Sequence, residues 1–314
     1  MLQFIKSWAL PISMVVGVLL YFISANVLVP DAYKTMVLGL VDTIQPLLIF
    51  MMLFVSFCKV DPKSLVIRSW HVIALAFQAL TFVALGFMAL KYVQNEYLPV
   101  IEGAMLCFIC PTATAAVVIV SKLGAKPESL VSYTMLSNLL VASVVPVFGA
   151  LLHPDVNSDF LSAFLLILNK VLPLLLFPLL LAWLIRKAFK QLLQTINQRK
   201  DLAFYLWIVA LALAIAQTTR SIMHSEVAIS LQLMVASVSL ISCIVQFTLG
   251  RALGTIYHEP IAVAQSLGQK NTVLAMWLGF TFFMPITAIA GGFYSIWHNL
   301  FNSWQLYKHC KHKV

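Results

Sequence analysis

The chain has 314 residues, of which 61% are hydrophobic and only 10% charged, with a mean hydropathy of +0.96. So much apolar surface exceeds what one soluble core can hide, which excludes a water-soluble globular domain and indicates an all-α polytopic membrane protein. The net charge of +9 comes from cations scattered between apolar runs, so no continuous basic face offers itself to nucleic acid.

Runs of about 20 apolar residues, the length that crosses a hydrocarbon core as helix, recur from end to end. Taken in order they give ten spans at roughly 7–29, 35–57, 69–92, 98–123, 128–152, 160–186, 202–221, 227–256, 259–281 and 283–307. The first, Ser7–Val29, is too long for a signal-peptide core and lacks a small-residue cleavage site, so it is read as retained. The longest polar connection, Arg186–Asp201, is expected to be a loop. The midpoint falls at His153–Asp159, dividing the chain into a repeat of about 1–153 and a repeat of about 154–308. Five spans per repeat is an odd number, so the second repeat sits upside down relative to the first, as in many secondary transporters.

Lysines and arginines sort by side. One side collects Lys6, Lys59, Lys63, Arg68, Lys122, Lys126, the Arg186–Lys200 group, Arg251, Lys308, Lys311 and Lys313; the other has Lys34, Lys91 and Arg220. Cytoplasmic termini and a bacterial inner membrane are the expectation. Two cations remain inside spans: Lys170, near enough to a surface to snorkel or to pair with Asp42, and Lys270. Glu102, near the outer end of span 4, is expected to be interfacial. Cys107 and Cys110 form a C-x-x-C without a second pair, which reads as packing; no metal site or cofactor is expected.

Span 4 carries "CPTAT" (Cys110–Thr114) and span 9 carries "SLGQKN" (Ser266–Asn271), at matching places in the two repeats. Proline at 111 removes an amide donor and clashes with the preceding turn, so a second half-helix is expected to start near Thr112. Gly268 tolerates the dihedrals of a similar interruption. Unwound backbone survives in a membrane only where it lines a cavity or is buried in protein, so paired breaks predict a central site. Half-helix N-termini there favour an anion such as a carboxylate. A proline kink alone is common in membrane helices, and Gln78, Thr134, Ser137, Asn138 and "WHN" at 297–299 are, taken singly, ordinary interhelical hydrogen-bonding groups.

"CPTATAAV", "SLGQKN" and "GGFYSIWHN", in this order and spacing, resemble the bile acid:sodium symporter family over nearly the whole chain. The resemblance implies ten spans in inverted repeats, a panel of spans 1, 2, 6 and 7, and a core of spans 3–5 and 8–10 in which interrupted spans 4 and 9 cross. It also implies a substrate cavity touched by Thr112, Ala113, Thr114, Asn271 and His298. Of the family's sodium ligands, Gln78, Thr134, Gly268 and Asn271 match. The Ser-Asn pair is replaced by Ala116 and Val117, a serine by Leu130, the acidic residue by Ser266, and a coordinating glutamine by Lys270, beside Gln269.

Sodium requires several hard oxygens and usually a carboxylate, which this set lacks. Lys270 therefore reads as a tethered substitute for the ion, at a cost of about 2.5–3.5 kcal/mol for a lysine at the bilayer centre. It would load a proton during transport, or keep its charge in a uniporter or exchanger; the plainer alternative pairs it with backbone carbonyls. The leading expectation is a sodium-independent transporter of a bile acid or small carboxylate working by alternating access. The alternatives are a sodium-coupled symporter with a partial ion site and a non-transporting sensor. A membrane enzyme is disfavoured, since no H-E-x-x-H, G-x-S-x-G or acidic pair falls in the spans.

Overall fold

A computed structural model describes residues 9–26, 31–154, 159–199 and 201–311, which are helical with no strand among them. Among the described residues, six helical stretches are long and apolar enough to cross a membrane: Gly39–Cys58, Ser69–Lys91, Glu128–Leu152, Phe160–Ala188, Leu202–Met223 and Ile229–Ile256. Shorter apolar helices cover Pro11–Ala25, Leu98–Ile109 and Thr272–Phe282. The chain is a multi-pass integral membrane protein. Expectations resting on Lys6, Ser7, Val29, Asp155–Ser158, Lys200 and Lys313 lie outside the described residues.

The described helices are α1 (Ala9–Asn26), α2 (Asp31–Cys58), α3 (Ser69–Lys91), α4 (Leu98–Ile109), α5 (Ala116–Lys122), α6 (Glu128–Leu152), α7 (Phe160–Ala188), α8 (Lys190–Gln198), α9 (Leu202–Met223), α10 (Ile229–Ile256), α11 (Pro260–Gly268), α12 (Thr272–Phe282) and α13 (Ala288–Lys311). Contacts divide them into two compact units.

The first unit takes residues 1–59 and 177–226. Here α9 packs on α1 and α2. Backbones come close where Gly17 faces α9: a Cβ there would lie 2.5 Å from the Ala212 carbonyl oxygen. Asp42 Oδ1 accepts a hydrogen bond from Gln217 Nε2 at 3.1 Å, and Arg186 Nη2 donates to the Cys58 carbonyl at 2.9 Å, which closes the end of α2. The connection expected as a loop instead contains α8. Its apolar residues recur at helical spacing, a signal that its polar composition obscures.

The second unit takes residues 60–176 and 227–314. Each of its two chain segments supplies a long helix, an interrupted helix and another long helix: α3, α4/α5, α6, and then α10, α11/α12, α13. α10 and α11 form a tight hairpin. A Cβ at Gly250 would lie 2.8 Å from the Val263 carbonyl oxygen, and one at Gly254 would lie 2.7 Å from that of Glu259, so glycine is what lets these backbones touch.

A carboxylate ties together each of two helix clusters in this unit. Glu259 accepts from Ser129 Oγ at 2.5 Å and Trp70 Nε1 at 3.3 Å and pairs with Arg68 Nε at 3.2 Å, joining the starts of α3, α6 and α11. Glu102, expected near the membrane interface, is fully buried within the protein, bonded to His153 Nε2 at 2.5 Å and to the Met284 amide at 3.0 Å. Its neighbours explain the burial. The turn between α12 and α13 closes over it, and a buried carboxylate persists because it is both paired and hydrogen-bonded. Lys170 sits with its Nζ 6.0 Å from the centroid of the Phe282 ring.

Candidate functional site

Cys110 is extended (φ −51°, ψ 138°), the conformation a following proline imposes, and α4 ends at Ile109. Pro111 has no amide to give the Cys107 carbonyl, which accepts from Gln246 Nε2 of α10 at 3.1 Å instead. The Phe108 carbonyl accepts from Gln78 Nε2 at 2.8 Å and from Lys270 Nζ at 3.1 Å, while the Cys110 carbonyl takes a longer bond from Gln78 at 3.4 Å. Gln78 is aimed in turn by the Tyr133 hydroxyl, which donates to its Oε1.

The second interruption lies between Gly268 at the end of α11 and Thr272 at the start of α12. A Cβ on Gly268 would lie 2.4 Å from the Phe247 ring, so this position admits glycine alone without displacing a buried aromatic. Its carbonyl accepts from the Tyr294 hydroxyl at 2.9 Å, and the Ser266 carbonyl accepts from Thr112 Oγ1 at 2.6 Å. Asn271 caps α12, with its Oδ1 accepting from the Leu274 amide at 3.3 Å.

The two interruptions meet. The Ala113 amide donates to the Gln269 carbonyl at 2.8 Å and the Asn271 amide to the Pro111 carbonyl at 2.9 Å, which makes an antiparallel bridge between Thr112 and Lys270. This corrects part of the sequence expectation: α5 begins at Ala116, not near Thr112, and the Ala113 amide is spent on the other interruption. At seven residues, α5 has under two turns of aligned peptide dipoles to offer an anion.

Lys270 is 1% exposed, and its amine reaches a neutral carbonyl with no carboxylate within ion-pair distance among the described residues. An ammonium carries three donors, and the described residues supply an acceptor for one. One charge-assisted bond is worth about 1.5–3 kcal/mol, no more than the cost of placing the lysine at such depth. The protein's own contacts do not stabilise the charge further.

Other expected site residues separate into two groups. Gln78, Thr112, Ala113, Ser266, Gln269, Lys270 and Asn271 join in the crossing through the bonds above. Thr134 is buried, but its hydroxyl donates to Leu130 of its own helix at 2.9 Å. Thr114 is half-buried in the turn before α5. His298 is 4% exposed, stands edge-on to Tyr294 with ring centroids 5.8 Å apart, and has no hydrogen-bond partner on Nδ1. Ser266 Oγ, Gln269 Oε1 and both amide atoms of Asn138 are likewise buried without partners.

Sequence reasoning missed Tyr133, Gln246 and Tyr294. Gln246 gave the same signal as Gln78, an amide inside an apolar run, and Tyr294 lies within "GGFYSIWHN".

No family model matches the chain. It is 25% identical over 250 residues to a protein of Bacillus subtilis (strain 168) described as the uncharacterized sodium-dependent transporter YocS, covering 77% of this chain and 74% of that one. Multi-pass architecture and similarity to a transporter coincide here. The similarity supports a transporter rather than an enzyme.

Proposed function

We propose that the chain is a secondary transporter of the bile acid:sodium symporter family that moves a bile acid or small carboxylate by alternating access, with the Lys270 ammonium in place of a sodium ion. The observation that carries this reading is the buried Lys270 amine with a single carbonyl partner and no carboxylate within ion-pair distance among the described residues. A positive charge so held attracts an anion and repels a metal cation. Of the residues expected to touch substrate, His298 keeps a buried Nδ1 without a hydrogen-bond partner.

In this reading ten spans form two inverted repeats, with a panel of spans 1, 2, 6 and 7 and a core of spans 3–5 and 8–10. The two compact units and the recurrence of helix, interrupted helix, helix in the second unit support it. Cytoplasmic termini in an inner membrane rest on the distribution of cations. Transport is driven by a proton loaded on Lys270, or by the anion gradient past a fixed charge.

The test is uptake of bile-acid and short keto-acid probes into proteoliposomes in sodium-free buffer, with and without a proton gradient. Uptake is expected to persist without sodium and to fall about 30-fold or more in Lys270→Gln, the scale of removing a buried charge from its partner. Strict sodium dependence of the wild type would overturn the reading. A second reading, sodium-coupled symport, is favoured by the description of the Bacillus relative and by the unpartnered buried oxygens of Ser266, Gln269 and Asn138.

A further inference from the structure

α8 is the one helix of the first unit in which no residue is buried. It follows α7 after Phe189, whose backbone leaves the helical region (φ −130°, ψ 66°), and α9 begins four residues beyond its end. Both neighbours are long apolar helices of membrane-crossing length, so the short segment between them stays at a single membrane face.

At about 100° per residue, Phe189, Leu192, Leu193 and Ile196 fall on one narrow arc, and Lys190, Gln191, Gln194, Asn197 and Gln198 cover the rest. Phe189 and Leu192 are 58% and 47% exposed. Such an apolar stripe left open in water would be a liability, and α8 meets α2 in its unit without burying any of its own residues. Cations mark both ends: Lys187 before it, Lys190 at its first position and Arg199 after it, all exposed. The one acidic residue of the segment, Asp201, interacts electrostatically with Lys59 and so offsets these charges little.

We propose that α8 lies in the plane of the bilayer surface and binds anionic lipid headgroups, its Phe189–Ile196 stripe sunk among the acyl chains and Lys187, Lys190 and Arg199 at the phosphates. An amphipathic helix with one apolar arc and terminal cations has the composition of an interfacial element, and cations near such a surface contribute additively. The chain's own connectivity brings this surface to it. Membrane insertion of the neighbouring helices has already met the entropic cost of approach, so even a nine-residue helix can stay seated.

The test uses full-length protein carrying Leu192→Cys and Cys310→Ser, labelled with an environment-sensitive fluorophore and placed in nanodiscs of phosphatidylglycerol and phosphatidylcholine at varied ratio. Blue-shifted, iodide-protected emission that develops as the anionic fraction rises is expected. Adding Lys190→Gln and Arg199→Gln should weaken the preference for anionic lipid about fivefold per charge removed. Melting temperature serves as the folding control for these surface changes. Emission quenched to free-dye level in every lipid would overturn the proposal by leaving the stripe in water. Equal protection in both lipids, unaltered by the charge substitutions, would also overturn it, since headgroup charge would then play no part.

Discussion

The two interruptions of the second unit solve one problem by different chemistry. At Pro111 a donor is deleted from the backbone, so the stranded Cys107 and Phe108 carbonyls must recruit side chains from elsewhere in the unit: Gln246, Gln78 and Lys270. At Gly268 every amide is still present and merely turned aside, so most of the repair is made by the opposite backbone and by two hydroxyls. The proline interruption is thus a matter of polar supply, and the glycine interruption a matter of space. That difference predicts which substitutions each will tolerate.

The largest effect is expected at Gly268. A methyl group at 2.4 Å from the buried Phe247 ring, whose centroid is itself 4.1 Å from that of the tilted Phe301 ring, has nowhere to go. Gly268→Ala should cost about 3 kcal/mol, the upper end of overpacking, read as a fall in chemical-denaturation midpoint. A wild-type midpoint would break the contrast. Next, Gln246→Leu leaves the Cys107 carbonyl bare and should cost about 2 kcal/mol, the desolvation cost of a buried carbonyl. Adding Pro111→Ala to that variant restores an amide and frees Cys110 to become helical, so about 1 kcal/mol should return, measured as a double-mutant cycle. Smallest is Thr112→Val, similar in shape but unable to serve the Ser266 carbonyl, at about 1 kcal/mol by the same unfolding assay.

The places where helices stop were legible because proline and glycine act on their own backbone, whatever surrounds them. What repairs the stops was not, because the partners lie far away in the chain: 30 residues separate Gln78 from Phe108, 139 separate Gln246 from Cys107, and 154 separate Thr112 from Ser266. The expectation of free amides after Pro111 failed for the same reason, since Ala113 finds its acceptor in the other half of the chain. Burial of Lys270 followed from its position within an apolar run. Its bond to the Phe108 carbonyl is the plainer backbone pairing weighed for it from the sequence. α8 was misread as a loop because its polar composition hides the periodicity of its apolar residues, and the burial of Glu102 was not legible because the turn that closes over it lies far away in the chain.

The glycine-lined contact between α10 and α11 has a mechanical consequence. With main chain against main chain at Gly250 and Gly254, the two helices have no compliant side-chain layer through which one could slip along the other. Any rearrangement that exposes Lys270 to alternate sides must carry this pair as a single rod, and the pivots have to be sought beyond it.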